Sequence, residues 1–257
     1  MTTPLVPPEL LDPVVAYFNP RQVILFGSRA RGDAGPDSDI DLLVIVDDDT
    51  PPDKVTLRAG FESHQAYHEP ADVFPVREST FQRESRVAGT LSRAATLEGI
   101  VVYGTPSIPN RLNIPDPADI WQEVFAWLRV ADAGRRAARV CMISDPPVHN
   151  AAAFHCHQAA EKPLKGLLVY ASIDLGKTHD LGRLGRVVAS HFPVVAPLVT
   201  AIDDWTAWSV AYRYPDLAEP QTEPSAEELS QALDMIERLD TALRSLAPTR
   251  RHFTTAE

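Results

Sequence analysis

GSRARGDAGPDSDIDLLV, residues 27–44, is the stretch on which the reading of this chain turns. It is framed by two apolar, strand-sized runs, VILF at 23–26 and IDLLVIV at 40–46, so the polar residues between them form a turn joining two buried strands. Gly27-Ser28 follows the first strand directly and is placed to open a short helix. Its unbonded N–H groups and the Ser28 hydroxyl suit a polyphosphate. Asp39 and Asp41 are two apart at the start of the second strand, so both carboxylates project from one face while Ile40, Leu42 and Val44 enter the core on the other. Adjacent like charges are costly unless a cation neutralises them, and oxygen ligands at this spacing suit Mg²⁺. Asp72, ahead of Val73 and Phe74, opens a further strand and is positioned to supply a third carboxylate. A lone Asp-x-Asp or a lone Gly-Ser turn is an ordinary surface feature. The two together, each tied to an apolar strand, are far more specific.

Outward from this stretch, the pattern alternates. Leu10, Leu11, Val14, Val15 and Phe18 recur at helical spacing, and Asn19-Pro20 stops that helix. Residues 54–67 read as helix and 71–76 as strand. Ser79 with Gln82 reads as a capping box for one helix running to about Glu98, and GIVVYG at 99–104 as an edge strand. Four prolines between 105 and 117 mark a linker. Beyond it helices are expected from about 118 to 145, 149 to 171, 181 to 191 and 194 to 210, then from a capping box at Ser225 and Glu228 to about Leu246. Pro163 is expected to kink the second of these near residue 159. The fold class is thus α+β in two domains: a small mixed-sheet domain over 1–104, a Pro-rich linker over 105–117, a helical bundle over 118–247 and a tail over 248–257.

Composition removes several functions. Of 257 residues, 44% are apolar, enough for packed cores, and no run approaches the length of a membrane span. The net charge is −11, and neither half is basic: nine Lys and Arg against sixteen Asp and Glu up to residue 108, fifteen against nineteen after it. A dedicated nucleic-acid platform is therefore not expected. Two cysteines without metal-ligand spacing, and no leader-like start, point to the cytoplasm.

The 27–44 stretch resembles the GSxARGxxxxxSDxDLxV signature of the minimal nucleotidyltransferases, within the polymerase-β-like nucleotidyltransferase superfamily, and meets every fixed position. EGIVVYG at 98–104 resembles the family's usual close. The resemblance implies a nucleotide-binding set of Gly27, Ser28, Arg31 and Ser38. It also implies a catalytic and metal-binding triad of Asp39, Asp41 and Asp72, with Asp72 helping to deprotonate the attacking hydroxyl. Two Mg²⁺ ions, or Mn²⁺ in their place, would bridge the carboxylates and the nucleotide phosphates, and in-line attack at the α-phosphorus would transfer a nucleoside monophosphate.

The second half carries FHCHQAAEKPLK at 154–165, Thr178-His179-Asp180-Leu181, and Ala211-Tyr212-Arg213-Tyr214-Pro215-Asp216. These resemble a HEPN domain, a bundle often fused to minimal nucleotidyltransferases. Gln158, Glu161 and Lys165 form a polar line beside the helix's core face, and a surface Glu161–Lys165 pair is its plainest reading. A candidate bundle site is drawn from His157, Glu161, Lys162, Lys165, His179, Arg213, Tyr212 and Tyr214. The cations suit an anion, and the tyrosines offer hydroxyls for modification.

The expected activity is transfer of a nucleoside monophosphate, AMP from ATP above all, to a hydroxyl acceptor on a protein or small molecule. The resemblance also implies a homodimer. Three alternatives stand beside it: an aminoglycoside-type transferase, a non-catalytic nucleotide-sensing or toxin–antitoxin-like module, and a HEPN ribonuclease. For the last, the one Arg-x4–6-His match is Arg186 to His191, in the third bundle helix.

Overall fold

The computed structural model describes residues 5–35, 38–105, 115–174, 178–211 and 223–247. It divides into two compact units, Met1–Asp119 and Ile120–Glu257.

In the first unit α1 (Pro8–Phe18) leads into β1 (Gln22–Phe26), the one-turn helix α2 (Ser28–Arg31), and β2 (Ile40–Val46). Then come α3 (Leu57–Glu62), β3 (Ala71–Arg77), α4 (Glu78–Glu84), α5 (Leu91–Glu98) and β4 (Ile100–Gly104). The four strands make one mixed sheet in the order β3-β2-β1-β4. β1 is antiparallel to both β2 and β4, whereas β2 and β3 are parallel. β1 and β2 are buried along their whole length, which is why they read as continuous apolar runs rather than alternating ones.

Each sheet face has its own core. Val23, Leu25, Ile40, Leu42, Val44 and Val46 pack with Leu10, Val14 and Phe18 of α1 on one side. Ile24, Phe26, Leu43 and Ile45 pack with Phe81 of α4 and Ala95 of α5 on the other. Each such fully buried Leu, Ile, Val or Phe contributes about 2 kcal/mol. Asp41 shares the second face, since it pairs with Phe26 in the ladder and is two residues from Leu43.

Three expected helices differ. A 3-10 turn at Pro52–Lys54 ends at the start of the first expected helix, and residues 54–67 hold the short α3, begun by Thr56 accepting from the Ala59 N–H. The single helix expected from Ser79 is broken into α4 and α5. Gly89, at φ +79°, stands between them, and Thr90 caps α5 by accepting from the Arg93 N–H. The start of α4 is capped from a distance, the Ser79 N–H donating to Asp48 Oδ1 at 2.9 Å, rather than by a local box.

The second unit contains α6 (Pro117–Ile143), α7 (His149–Tyr170), α8 (Leu181–His191), α9 (Ala196–Ala201), α10 (Trp208–Ala211) and α11 (Ala226–Ser245). The region expected as one helix from 194 to 210 is instead α9, a 3-10 turn at Asp203–Ala207 and α10. The helix ends at Ile202, and the Leu181 N–H takes the Thr206 hydroxyl as acceptor at 3.0 Å. α7 lies centrally, packed against α8, α10 and α11. Its small residues allow close approach: a Cβ on Gly166 would stand 2.8 Å from Leu243 Cδ2. α7 continues through Pro163, which is buried. The capping box at α11 is complete, with Ser225 and Glu228 exchanging side-chain and backbone bonds. No described helix is long and apolar enough to cross a membrane.

Candidate active site

The turn after β1 is built around Gly27. Its backbone, at φ +76° and ψ −156°, is open only to glycine, and a Cβ there would lie 2.2 Å from Asp41 Oδ2. The turn is therefore pressed onto the Asp41 carboxylate, and any side chain at 27 would push the two apart. Asp41 itself is 3% exposed. Across the parallel ladder Asp41 pairs with Asp72, so the two carboxylates leave neighbouring strands on the same face, about 5 Å apart at the backbone. Asp39 precedes β2 by one residue and, like Asp72, is exposed. Neither the Asp39 nor the Asp72 side chain pairs with a cation among the described residues.

The two arginines of the turn are committed elsewhere. Arg29 Nε donates to the Ser38 carbonyl at 3.0 Å and the Asp39 carbonyl at 3.2 Å, and its Nη2 also reaches the Ser38 carbonyl. Charge-assisted bonds of this kind pin the segment that enters β2, and with it the approach of Asp39 and Asp41. Arg31 donates to Glu98 Oε1 at 2.8 Å and to Asp33 Oδ2 at 3.2 Å; these two hydrogen bonds, Glu98 first, raise its pKa. Ser38 turns its hydroxyl inward to accept from the Gly35 N–H at 2.9 Å. Ser28 is half-buried, and its carbonyl accepts from the Gly32 and Asp33 N–H groups to close α2.

The structure thus brings together Gly27, Ser28, Asp41 and Asp72, with Asp39 and Ser38 at the entry to β2. Sequence reasoning missed Arg29 as a tether of that entry, and missed Glu98. The first was in view but without an orientation; the second heads the EGIVVYG stretch, but 71 residues separate it from Gly27 and nothing local joins it to the turn.

Among the described residues, no three or more His, Cys, Asp and Glu side chains stand gathered as a metal cage. The donor set nevertheless fits a hard divalent cation. It consists of carboxylate oxygens on adjacent strands, two of the three side chains are exposed and able to turn, and the glycine notch lies directly against the third.

The second polar cluster lies on α7 and in the loop before α8. Here the structure corrects the expected surface pair, because Glu161 is completely buried. Its carboxylate accepts from Lys165 Nζ at 2.7 Å, Lys162 Nζ at 3.1 Å and His179 Nδ1 at 2.9 Å. Burial pushes the Glu161 carboxyl up, but the Lys165 and His179 bonds and the Lys162 charge outweigh it and bring it to about 2. His157, also fully buried, donates from Nε2 to the His179 carbonyl at 3.0 Å, and burial holds its pKa below the ordinary histidine value. Both lysines lie over the Trp127 ring, their Nζ atoms 5.8 and 5.5 Å from its centroid. His157, Glu161, Lys162, Lys165 and His179 are thus one network. Tyr212, Arg213 and Tyr214 lie outside the described residues.

The first unit is thus a four-stranded mixed sheet with a Gly-Ser turn after β1 and carboxylates at the start of β2 and β3. The family is specific. Residues 8–91 match the model of the nucleotidyltransferase domain and residues 124–246 that of the HEPN domain. The chain is a nucleotidyltransferase domain joined to a HEPN domain, and the first domain makes it a nucleotidyltransferase. Its substrates by class are a nucleoside triphosphate and a hydroxyl acceptor, and such domains generally use divalent metal ions.

No curated protein sequence matches the chain significantly. Three solved structures are similar at a distance. TT1696 from Thermus thermophilus is 24% identical over 48% of this chain and 97% of its own, with a TM-score of 0.41. A nucleotidyltransferase-like protein from Exiguobacterium sibiricum is 13% identical over 86% and 69%, at 0.45. Spectinomycin adenyltransferase AAD(9) from Enterococcus faecialis, solved with ATP and spectinomycin, is 12% identical over 92% and 98%, at 0.44.

Proposed function

We propose that the protein transfers a nucleoside monophosphate, AMP from ATP in the first instance, to a hydroxyl acceptor with Mg²⁺ as its metal, and that a protein tyrosine is the acceptor to test first. The observation that carries this reading is the contact of the Gly27 turn with Asp41, whose ladder partner is Asp72. A triphosphate on that turn lies beside two adjacent carboxylates, the juxtaposition that metal-assisted transfer requires.

Each residue has a definable task. Gly27 lets the backbone approach the phosphates, and the Ser28 hydroxyl, with the Ser28 and Arg29 N–H groups, donates to phosphate oxygens. Asp39, Asp41 and Asp72 hold the cation. When bound there it supplies charge neutralisation on the phosphates and acidifies the acceptor hydroxyl. Asp72, exposed beside the buried Asp41, takes up the acceptor's proton on a carboxylate oxygen. The acceptor oxygen bonds to the α-phosphorus, the bond from that phosphorus to the bridging oxygen breaks, and pyrophosphate leaves with its electron pair. Arg29 maintains the geometry by holding the Ser38 and Asp39 carbonyls.

Pyrophosphate release and intact-protein mass, followed with each of ATP, GTP, CTP and UTP plus Mg²⁺, test this reading. The expected result is Mg²⁺-dependent pyrophosphate release, lowered about a thousandfold or more in an Asp39→Asn, Asp41→Asn variant that remains folded. A matching mass gain, mapped to Tyr212 or Tyr214, would identify the chain as its own acceptor. Nucleotide bound without pyrophosphate release, with protein and small-molecule acceptors alike, would overturn catalysis in favour of a sensor.

A further inference from the structure

Glu98 belongs to neither the triad nor the phosphate turn, yet its carboxylate reaches into the turn. Glu98 is the last residue of α5, and the chain then passes through Gly99 into β4. Gly99 is tight against the sheet: a Cβ there would lie 2.4 Å from Ile24 Cγ2 and 2.2 Å from the Ala95 carbonyl. That close approach, and the Leu25–Ile100 register pair just beyond, set the end of α5 over the end of β1. Glu98 Oε1 then accepts from the Gly27 N–H at 3.1 Å and from Arg31 Nη1 at 2.8 Å. One oxygen atom thus ties down both ends of the Gly27 to Arg31 turn.

We propose that Glu98 is a positioning residue for nucleotide binding: it holds Gly27 in its left-handed conformation and keeps Arg31 drawn back along α2. Three observations argue for it. Gly27 occupies a sparsely populated backbone region, which persists only where the surroundings fix it, and Glu98 is the group bonded to its N–H. The α2 hydrogen bonds, from the Ala30 and Arg31 N–H groups to the Gly27 carbonyl and from Gly32 to Ser28, leave the amides of Gly27, Ser28 and Arg29 outside the helix. With Glu98 on the first, the amides of Ser28 and Arg29 are the two that the proposed function assigns to phosphate. Finally, the ion pair cancels the Glu98 charge locally, so an acidic group is tolerated beside an anion site. Without Glu98 the turn must be ordered by the nucleotide itself, and that ordering comes out of the affinity.

This inference rests on the transferase reading, so the test separates the two. Mg·ATP affinity is measured by titration calorimetry for the wild type, Glu98→Ala and Glu98→Gln, with thermal unfolding recorded for each. The expected result is an affinity about tenfold weaker in Glu98→Ala. Glu98→Gln, whose amide oxygen still accepts from the Gly27 N–H, recovers part of that loss, and its unfolding stays close to that of the wild type. A merely structural Glu98 would lower the melting temperature without this graded loss. Affinity unchanged or tighter in both variants would overturn the proposal while leaving the transferase reading intact. A wild type that binds none of ATP, GTP, CTP or UTP with Mg²⁺ would overturn the transferase reading and this inference with it.

Discussion

Two clusters of charge, one in each unit, treat their carboxylates in opposite ways. In the bundle Glu161 is fully buried and saturated by the chain's own cations, two lysines and a histidine within 3.1 Å. In the sheet domain Asp39 and Asp72 stay exposed with no cation on their side chains among the described residues. The two arginines of the turn are directed onto backbone carbonyls, Asp33 and Glu98. A carboxylate neutralised from within contributes architecture. Exposed carboxylates without an internal cation, as Asp39 and Asp72 are among the described residues, leave compensating charge to come from outside. On the proposed reading this contrast assigns the metal-dependent chemistry to the sheet domain and leaves the Glu161 network an architectural part of the bundle.

The largest expected effect that would break the contrast lies in the bundle. Glu161→Ala leaves Lys162 and Lys165, only 12% and 18% exposed, facing each other over Trp127. Removing one partner from a buried charged cluster is expected to cost about 3–5 kcal/mol. All four tryptophans, Trp121, Trp127, Trp205 and Trp208, lie in the second unit, so denaturant unfolding followed by tryptophan fluorescence reads the bundle alone. A loss of only a few tenths of a kcal/mol would mean that the cluster behaves as a surface pair after all.

A smaller, graded effect is expected from pH. His157 has a folded pKa below its ordinary 6.5, so its contribution is complete above pH 6.5 and declines as pH falls from there toward the folded value. Glu161 has a folded pKa of about 2 against an ordinary 4.5, so its contribution is complete above that value and is lost as pH falls from 4.5 toward 2. Unfolding free energy of the bundle, measured from about pH 8 to about pH 3, should therefore decline in two steps. Glu161→Gln should remove the more acidic one. A profile flat to pH 4 would contradict the account of His157.

Much of the fold was legible because periodicity and end signals agreed. The runs at 23–26 and 40–46 read as buried strands, and Ser225 with Glu228 announced α11. Of the single helices expected over 54–67, 79–98 and 194–210, the last two are interrupted at a special backbone residue or beside a tertiary bond. Gly89 and the Thr90 cap split the second, and Thr206, as acceptor for the Leu181 N–H, accompanies the break in the third. The Thr206 partner is 25 residues from Leu181 and leaves no mark on a local window, whereas Gly89 and Thr90 lie inside the stretch whose apolar spacing reads as one helix. The same limit applies to the candidate sites. The spacing of Asp39 and Asp41 is local and visible; the Asp41–Asp72 register and the Glu98 contact to Gly27 are not. On α7, helical spacing put Glu161 beside the core, but the His179 ring that bonds it comes from 18 residues away.

The central claim is that the two clusters differ in what neutralises them, and Mn²⁺ binding tests it most directly. Electron paramagnetic resonance of bound Mn²⁺, with ATP present, would be compared in the wild type, Asp41→Asn and Glu161→Gln. The account predicts a protein-bound Mn²⁺ signal that is lost in Asp41→Asn and retained in Glu161→Gln. A signal that survives Asp41→Asn, or disappears with Glu161→Gln in a folded protein, would contradict it.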